Sequence, residues 1–155
     1  MFNKTLLVVM VVCVVVGAGF FVLVGFSDSH VGTVSHVVDG DTFVMDSGER
    51  VRIVGVDAPE ISSGDCFAVE ARDALSRLVL GKSVVLVDDV DSSDRYGRHL
   101  AYVMVDGVDV GLSLASDGFV RYMFVAPNYN RAESIKLSVY SAVDAKKGMW
   151  GDEGC

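Results

Sequence analysis

Residues 5–26 carry no charged side chain, only a threonine at the start and then Leu, Val, Met, Phe, Ala, Gly and one cysteine, Cys13. Roughly 20 apolar residues suffice to cross a bilayer as a helix, and this run reaches that length. Lys4 precedes it and Asp28 follows it, a weak bias that puts the N-terminus inside. The run therefore reads as an N-terminal hydrophobic helix acting as an uncleaved signal anchor. A cleaved signal peptide is the alternative: Val16-Gly17-Ala18 offers small residues at a cleavage position, although the apolar run continues past it. Either way the chain is expected outside the cytoplasm. The division that follows is residues 1–26 as anchor or signal, 27–31 as a short linker and 32–155 as one domain.

Within that domain the chain turns β-like. Residues 31–38 alternate loosely, Asp39-Gly40-Asp41 marks a turn, and residues 42–45 form a short strand closed by Asp46-Ser47-Gly48. Residues 50–56 follow as the return strand of a hairpin, and Asp57-Ala58-Pro59-Glu60 must leave the sheet, because proline cannot continue a central strand. Helical spacing then appears at Ala71, Leu75, Leu78 and Val79, with Gly81 as the stop. Residues 83–87 and 99–105 read as two more strands separated by the acidic turn 88–94. A short helix is expected over 108–115, and a longer one on the stripe Ala132, Ile135, Val139 and Ala142. Three strands, a helix, two strands and two helices do not make a parallel sheet. They suit an α+β domain: a five-stranded antiparallel barrel of OB type carrying three helices.

The chemistry gathers in Asp39-Gly40-Asp41-Thr42, Arg52, Asp57-Ala58-Pro59-Glu60 and Asp94-Arg95-Tyr96-Gly97-Arg98. Asp41 opens one strand of the hairpin and Asp57 closes the other, so both carboxylates can face one point. Two carboxylates with a backbone carbonyl and waters make a hard oxygen site suited to calcium. Glu60 lies just beyond, free to hold a water or take its proton. Arg52 and Arg98 supply the guanidinium forks a phosphodiester requires. Taken singly each piece has a plain explanation: a solvated turn, a strand stop, a surface charge. Their joint placement across one hairpin is harder to explain that way. The formal net charge of −8 is awkward for a binder of nucleic acid and calls for a separate account of the acids, either surface solubility or metal. Outside the apolar run the only cysteines are Cys66 and Cys155. An oxidising compartment favours a bridge between them; two free thiols are the alternative.

These segments resemble the staphylococcal nuclease family. The matching text is Val38-Asp39-Gly40-Asp41-Thr42, Val51-Arg52-Ile53-Val54-Gly55-Val56-Asp57-Ala58-Pro59-Glu60, and Asp94-Arg95-Tyr96-Gly97-Arg98-His99-Leu100-Ala101-Tyr102, with a weaker continuation to Lys146-Lys147-Gly148-Met149-Trp150. The resemblance implies one calcium ion held by Asp41, Asp57 and the Ala58 carbonyl. It implies Glu60 orienting or deprotonating the attacking water, Arg52 and Arg98 gripping the phosphate, and Tyr96 lying along the nucleotide. The implied reaction is in-line hydrolysis of DNA or RNA leaving 3′-phosphate ends. The chain is expected to act as a monomer, tethered to the membrane through residues 5–26 unless that run is cleaved. Cysteines placed like Cys66 and Cys155 in similar chains support the bridge. The chain departs from the family pattern in a short lysine-free loop over 61–65 and in a shortened stretch over 122–127, where Tyr122 or Phe124 could stack on a base or simply fill the core. A tethered nucleic-acid-binding barrel without activity is the competing function. A barrel that binds protein partners has only the acidic surface in its favour.

Overall fold

The computed structural model describes residues 8–16, 19–27 and 29–155, with side chains described from His30 onward. Strands β3 (Ser29–Val37), β4 (Thr42–Met45), β5 (Arg50–Ile53), β7 (Ser83–Val87) and β8 (His99–Val105) form a barrel. The order along the sheet is β5-β4-β3-β7-β8, and β5 closes on β8 in parallel, Val51 opposite His99 and Ile53 opposite Ala101. All other barrel pairs are antiparallel. Helices α1 (Ala68–Val79), α2 (Val110–Ser116) and α3 (Ala132–Asp144) accompany it, with two-residue strands β6 (Val56–Asp57), β9 (Val108–Asp109) and β10 (Arg121–Tyr122) as struts. The expected five-stranded barrel with three helices is thus what the domain adopts.

The apolar N-terminal run departs from expectation. In place of a helix over 5–26, β1 (Val8–Val16) and β2 (Gly19–Ser27) pair antiparallel, from Val8 opposite Ser27 to Val16 opposite Gly19. Apolar length alone does not separate helix from strand, and valine's β-branch stiffens χ1 in the sense that favours the extended chain. No helix among the described residues is long and apolar enough to cross a membrane. Residues 5–7, 17 and 18 of that run lie outside the described residues.

The barrel interior is filled by alternate residues: Val34, Phe43, Val51, Ile53, Val84, Leu86, Ala101 and Val103 are all essentially inaccessible. Leu75 and Val79 of α1, Leu114 of α2 and Ile135 of α3 complete the same core. The return strand of the first hairpin ends at Ile53, short of the expected Val56. Gly55 takes φ +87°, and a β-carbon there would stand 2.6 Å from Cδ1 of Ile135, so α3 packs directly on the bare backbone. The chain then restarts as β6, paired with β10. Cys66, just ahead of α1, is bonded to Cys155, with Cα atoms 5.8 Å apart and a sequence separation of 89. A closed loop of that size is worth about 4 kcal/mol on the chain-entropy account.

His99 opens β8 and offers both ring nitrogens to carboxylates: Nδ1 lies 2.9 Å from Glu49 Oε1 and Nε2 lies 2.6 Å from Asp88 Oδ1. His30 meets the same ring edge-on, centroids 5.4 Å apart. Burial alone would lower the His99 pKa, but the bonds to Asp88 and Glu49 outweigh it and hold it above the usual histidine value. A raised folded-state pKa means this clamp contributes fully below the unfolded value of about 6.5 and fades as pH climbs through the folded one. Thermal melts of the parent and His99→Gln should therefore differ most at acidic pH, by roughly 4 °C, and converge on the alkaline side. A gap that stays constant from pH 5 to 9 would contradict the clamp.

Candidate active site

The site grows from the turn between β3 and β4. Gly40 allows that turn to sit flat, since a β-carbon there would come within 2.7 Å of the β-carbons of both Ala58 and Ala71. Helix α1, through Ala71, thereby presses the Asp39–Asp41 turn against the strand end that carries Ala58. The Asp41 amide donates to Asp39 Oδ1 at 3.2 Å, giving Asp39 the supporting place in the turn. The Asp41 side chain points inward and is 2 % exposed. Its Oδ1 accepts from the Thr42 hydroxyl at 2.9 Å and its Oδ2 from the Ala58 amide at 2.7 Å.

Arg52, on β5 opposite Thr42, joins the two acids. Its Nη1 stands 3.0 Å from Asp41 Oδ2, and Nη2 is 3.3 Å from Asp57 Oδ1. The same Nη1 donates to the carbonyls of Ile53 and Val56, which fixes the fork against the backbone. Burial pushes the Asp41 carboxyl up to about 7, opposed first by the Arg52 guanidinium. A carboxylate so removed from water gains from further positive charge nearby. Asp57, half-exposed, opens from the same fork toward solvent.

This donor set fits a hard divalent cation. Its side chains are two carboxylates, Asp41 beside β4 and Asp57 on β6, brought together through Arg52, with no nitrogen or sulfur donor among them. Among the described residues no three His, Cys, Asp or Glu side chains gather as a metal cluster, so backbone oxygen and water would have to complete the shell.

Glu60 lies beyond Pro59 in a turn that Asp65 organises. The Glu60 amide donates to Asp65 Oδ2 at 3.0 Å, and the Ser63 hydroxyl donates to Asp65 Oδ1 at 2.9 Å. Burial and then Asp39 raise the Glu60 pKa above the ordinary glutamate value, while Arg52 and Arg98 pull against them. Glu60 and Arg98 together line two adjoining cavities of about 400 and 390 Å³. Asp39 and Thr42 face the first, and Tyr96 faces the second.

Arg98 is held by Asp94. Its Nε donates to Asp94 Oδ2 at 2.7 Å, while the amides of Tyr96 and Arg98 donate to Oδ1 at 2.8 and 3.0 Å. Those bonds keep Asp94 ionised: burial acts to raise its pKa, and the donors of Arg98 and Tyr96 bring it below the usual value. Tyr96 is 67 % exposed, with the guanidinium carbons of Arg95 and Arg98 at 4.8 and 5.5 Å from its ring centre. The Asp94 contact was legible as an acid four positions before an arginine, a signal easily dismissed as an ordinary turn. Tyr122 packs against the core beside Val56, whereas Phe124 stands exposed.

The acidic run between β7 and β8 has a structural explanation. Asp88 binds His99, Asp89 accepts from the Tyr102 hydroxyl and from Asn130, the Asp91 backbone pairs with the buried amide of Asn128, and Asp94 holds Arg98. The carboxylates of Asp88, Asp89 and Asp94 are thus spent within the domain, while Asp91 contributes only its backbone.

The family model described as "Staphylococcal nuclease homologue" matches residues 50–152. Among curated proteins the chain is 33 % identical over 144 residues to the thermonuclease of Staphylococcus hyicus, covering 87 % of this chain and 85 % of that one. It is 34 % identical over 124 residues to the thermonuclease of Staphylococcus intermedius, covering 76 % and 74 %. It is also 34 % identical over 131 residues to endonuclease YncB of Bacillus subtilis (strain 168), covering 79 % of this chain but only 62 % of that protein.

Proposed function

The chain belongs to the staphylococcal nuclease family, and from that premise we propose that it is a calcium-dependent nuclease hydrolysing DNA or RNA to 3′-phosphate ends. One observation carries the reading: Arg52 joins Asp41 and Asp57 while Glu60 and Arg98 line the cleft beside them. Asp41, Asp57 and the Ala58 carbonyl are the groups that would hold calcium. Bound there, the cation supplies positive charge against the phosphoryl oxygens as negative charge builds on them. Glu60 takes a proton from the attacking water at its carboxylate. The water oxygen forms the new bond to phosphorus in line with the departing 5′ oxygen, whose bond to phosphorus breaks and which takes a proton from solvent water to leave as a hydroxyl. Arg98 donates to the phosphate and stands to assist that oxygen. Arg52 steadies the two carboxylates and offers charge to the same phosphate, and Tyr96 lies along the nucleotide.

We further propose that the protein acts outside the cytoplasm, with the apolar residues 5–26 directing export and meeting the membrane. The Cys66–Cys155 bond supports this, since such bonds persist in oxidising compartments. One experiment addresses both proposals. The full chain is expressed in a bacterium, the cells are fractionated, and digestion of single-stranded DNA is followed with calcium and with a chelator. Cleavage should require calcium and should accompany the membranes or the medium. Chelator-resistant cleavage would refute the cation assignment, and activity confined to the cytosol would refute export.

A further inference from the structure

Arg50 opens β5, two residues before Arg52, so the two side chains leave the same face of one strand. Arg52 is buried and committed to Asp41 and Asp57, whereas Arg50 is exposed and, among the described residues, makes neither an ion pair nor a side-chain hydrogen bond. Arg98, its neighbour in the cleft, is held by Asp94. Arg50 lines both cavities that Glu60 and Arg98 share, the one reaching Thr42 and the one reaching Tyr96. A protein of net charge −8 thus leaves an uncommitted guanidinium beside the groups assigned to the reaction. Positions i and i+2 on a strand stand about 6.6 Å apart, which suits the step between neighbouring phosphates of an extended single strand.

We propose that Arg50 binds the phosphate adjoining the scissile one, which favours a polynucleotide over an isolated phosphodiester as substrate. The assignment rests on the nuclease reading above. Arg50 supplies affinity for the polymer, while the groups around Glu60 perform the chemistry. An exposed guanidinium can meet a phosphate with two parallel hydrogen bonds, and nothing in the domain competes for it.

The test compares the full-length parent, Arg50→Ala, Arg50→Lys and Arg77→Ala, the last removing the same charge from the exposed side of α1. Each is assayed on a single-stranded oligonucleotide and on thymidine p-nitrophenyl phosphodiester, which has one phosphate. Arg50→Ala should raise KM for the oligonucleotide about tenfold. It should also flatten the dependence of log KM on log salt by about 0.7, the value of one lost single-strand phosphate contact. Arg50→Lys should recover part of the affinity. On the single phosphodiester, Arg50→Ala should fall no further than Arg77→Ala. Equal losses on both substrates, or an unchanged oligonucleotide KM, would overturn the assignment. Should the parent cleave neither substrate, the nuclease reading fails, and fluorescence anisotropy with a labelled single strand decides Arg50 separately. Tenfold weaker binding with the flattened salt slope upholds it, and unaltered binding overturns it.

Discussion

Glu60→Gln should lower single-turnover cleavage of an oligonucleotide by about 10²–10⁴-fold, the range supplied by a positioned general base, with little change in substrate affinity. The amide keeps the size and shape of the carboxyl but accepts no proton at neutral pH. The backbone of residue 60 is tied to Asp65, so the turn survives the exchange. Burial and the Asp39 charge raise the Glu60 pKa, which brings the carboxylate closer to the strength a base needs near neutrality. Rapid-quench measurement of the cleavage step in calcium, alongside anisotropy for binding, separates the two effects. A variant that cleaves within tenfold of the parent would remove Glu60 from the proton transfer. A variant that merely fails to bind would reassign it to substrate positioning.

Arg52→Ala should destabilise the domain by about 3–5 kcal/mol and abolish cleavage even in the fraction that remains folded. The stability loss follows from what the guanidinium touches. Removing it strands Asp41, 2 % exposed, without its counter-ion, and leaves the Ile53 and Val56 carbonyls without their donor. Lysine is no substitute, because a single ammonium cannot span two carbonyls and two carboxylates at once. Arg52→Lys should therefore recover part of the stability and little of the activity. Urea unfolding gives the first quantity, and cleavage assayed well below the unfolding midpoint gives the second. An alanine variant as stable as the parent would show that the bonds around Arg52 contribute little net energy.

The barrel and the identities of its candidate catalytic groups could be read from the chain because they rest on local rules. Alternation placed the strands, the turn at 39–41 put Asp41 at the start of β4, and Pro59 kept the chain from continuing as a strand beyond Asp57. What escaped depends on contacts distant in sequence. Nothing near Gly55 announces that Ile135 will rest on it, so β5 seemed longer than it is. The acids at 88 and 89 gave no sign of their partners at 99, 102 and 130, and they inflated the apparent conflict between charge and substrate. The N-terminal run failed differently. Its apolar length is plain, but length is shared by helix and strand, and its valine content favours the strand. Arg50 was visible throughout as a residue on the polar face of a hairpin, and only the two cavities distinguish it from an ordinary surface charge.

The parallel contact between β5 and β8 joins segments far apart in the chain, and α1 and β7 lie in the loop it closes. Contacts of that kind form against a large chain entropy and tend to come late in folding. Arg52 stands on one side of that contact and Arg98 immediately before the other. A chain can therefore possess its hairpin and its helices and still have no place where a phosphate would meet both arginines. On the proposed function, cleavage depends on this closure, so a copy in which β5 and β8 remain unpaired is expected not to cleave.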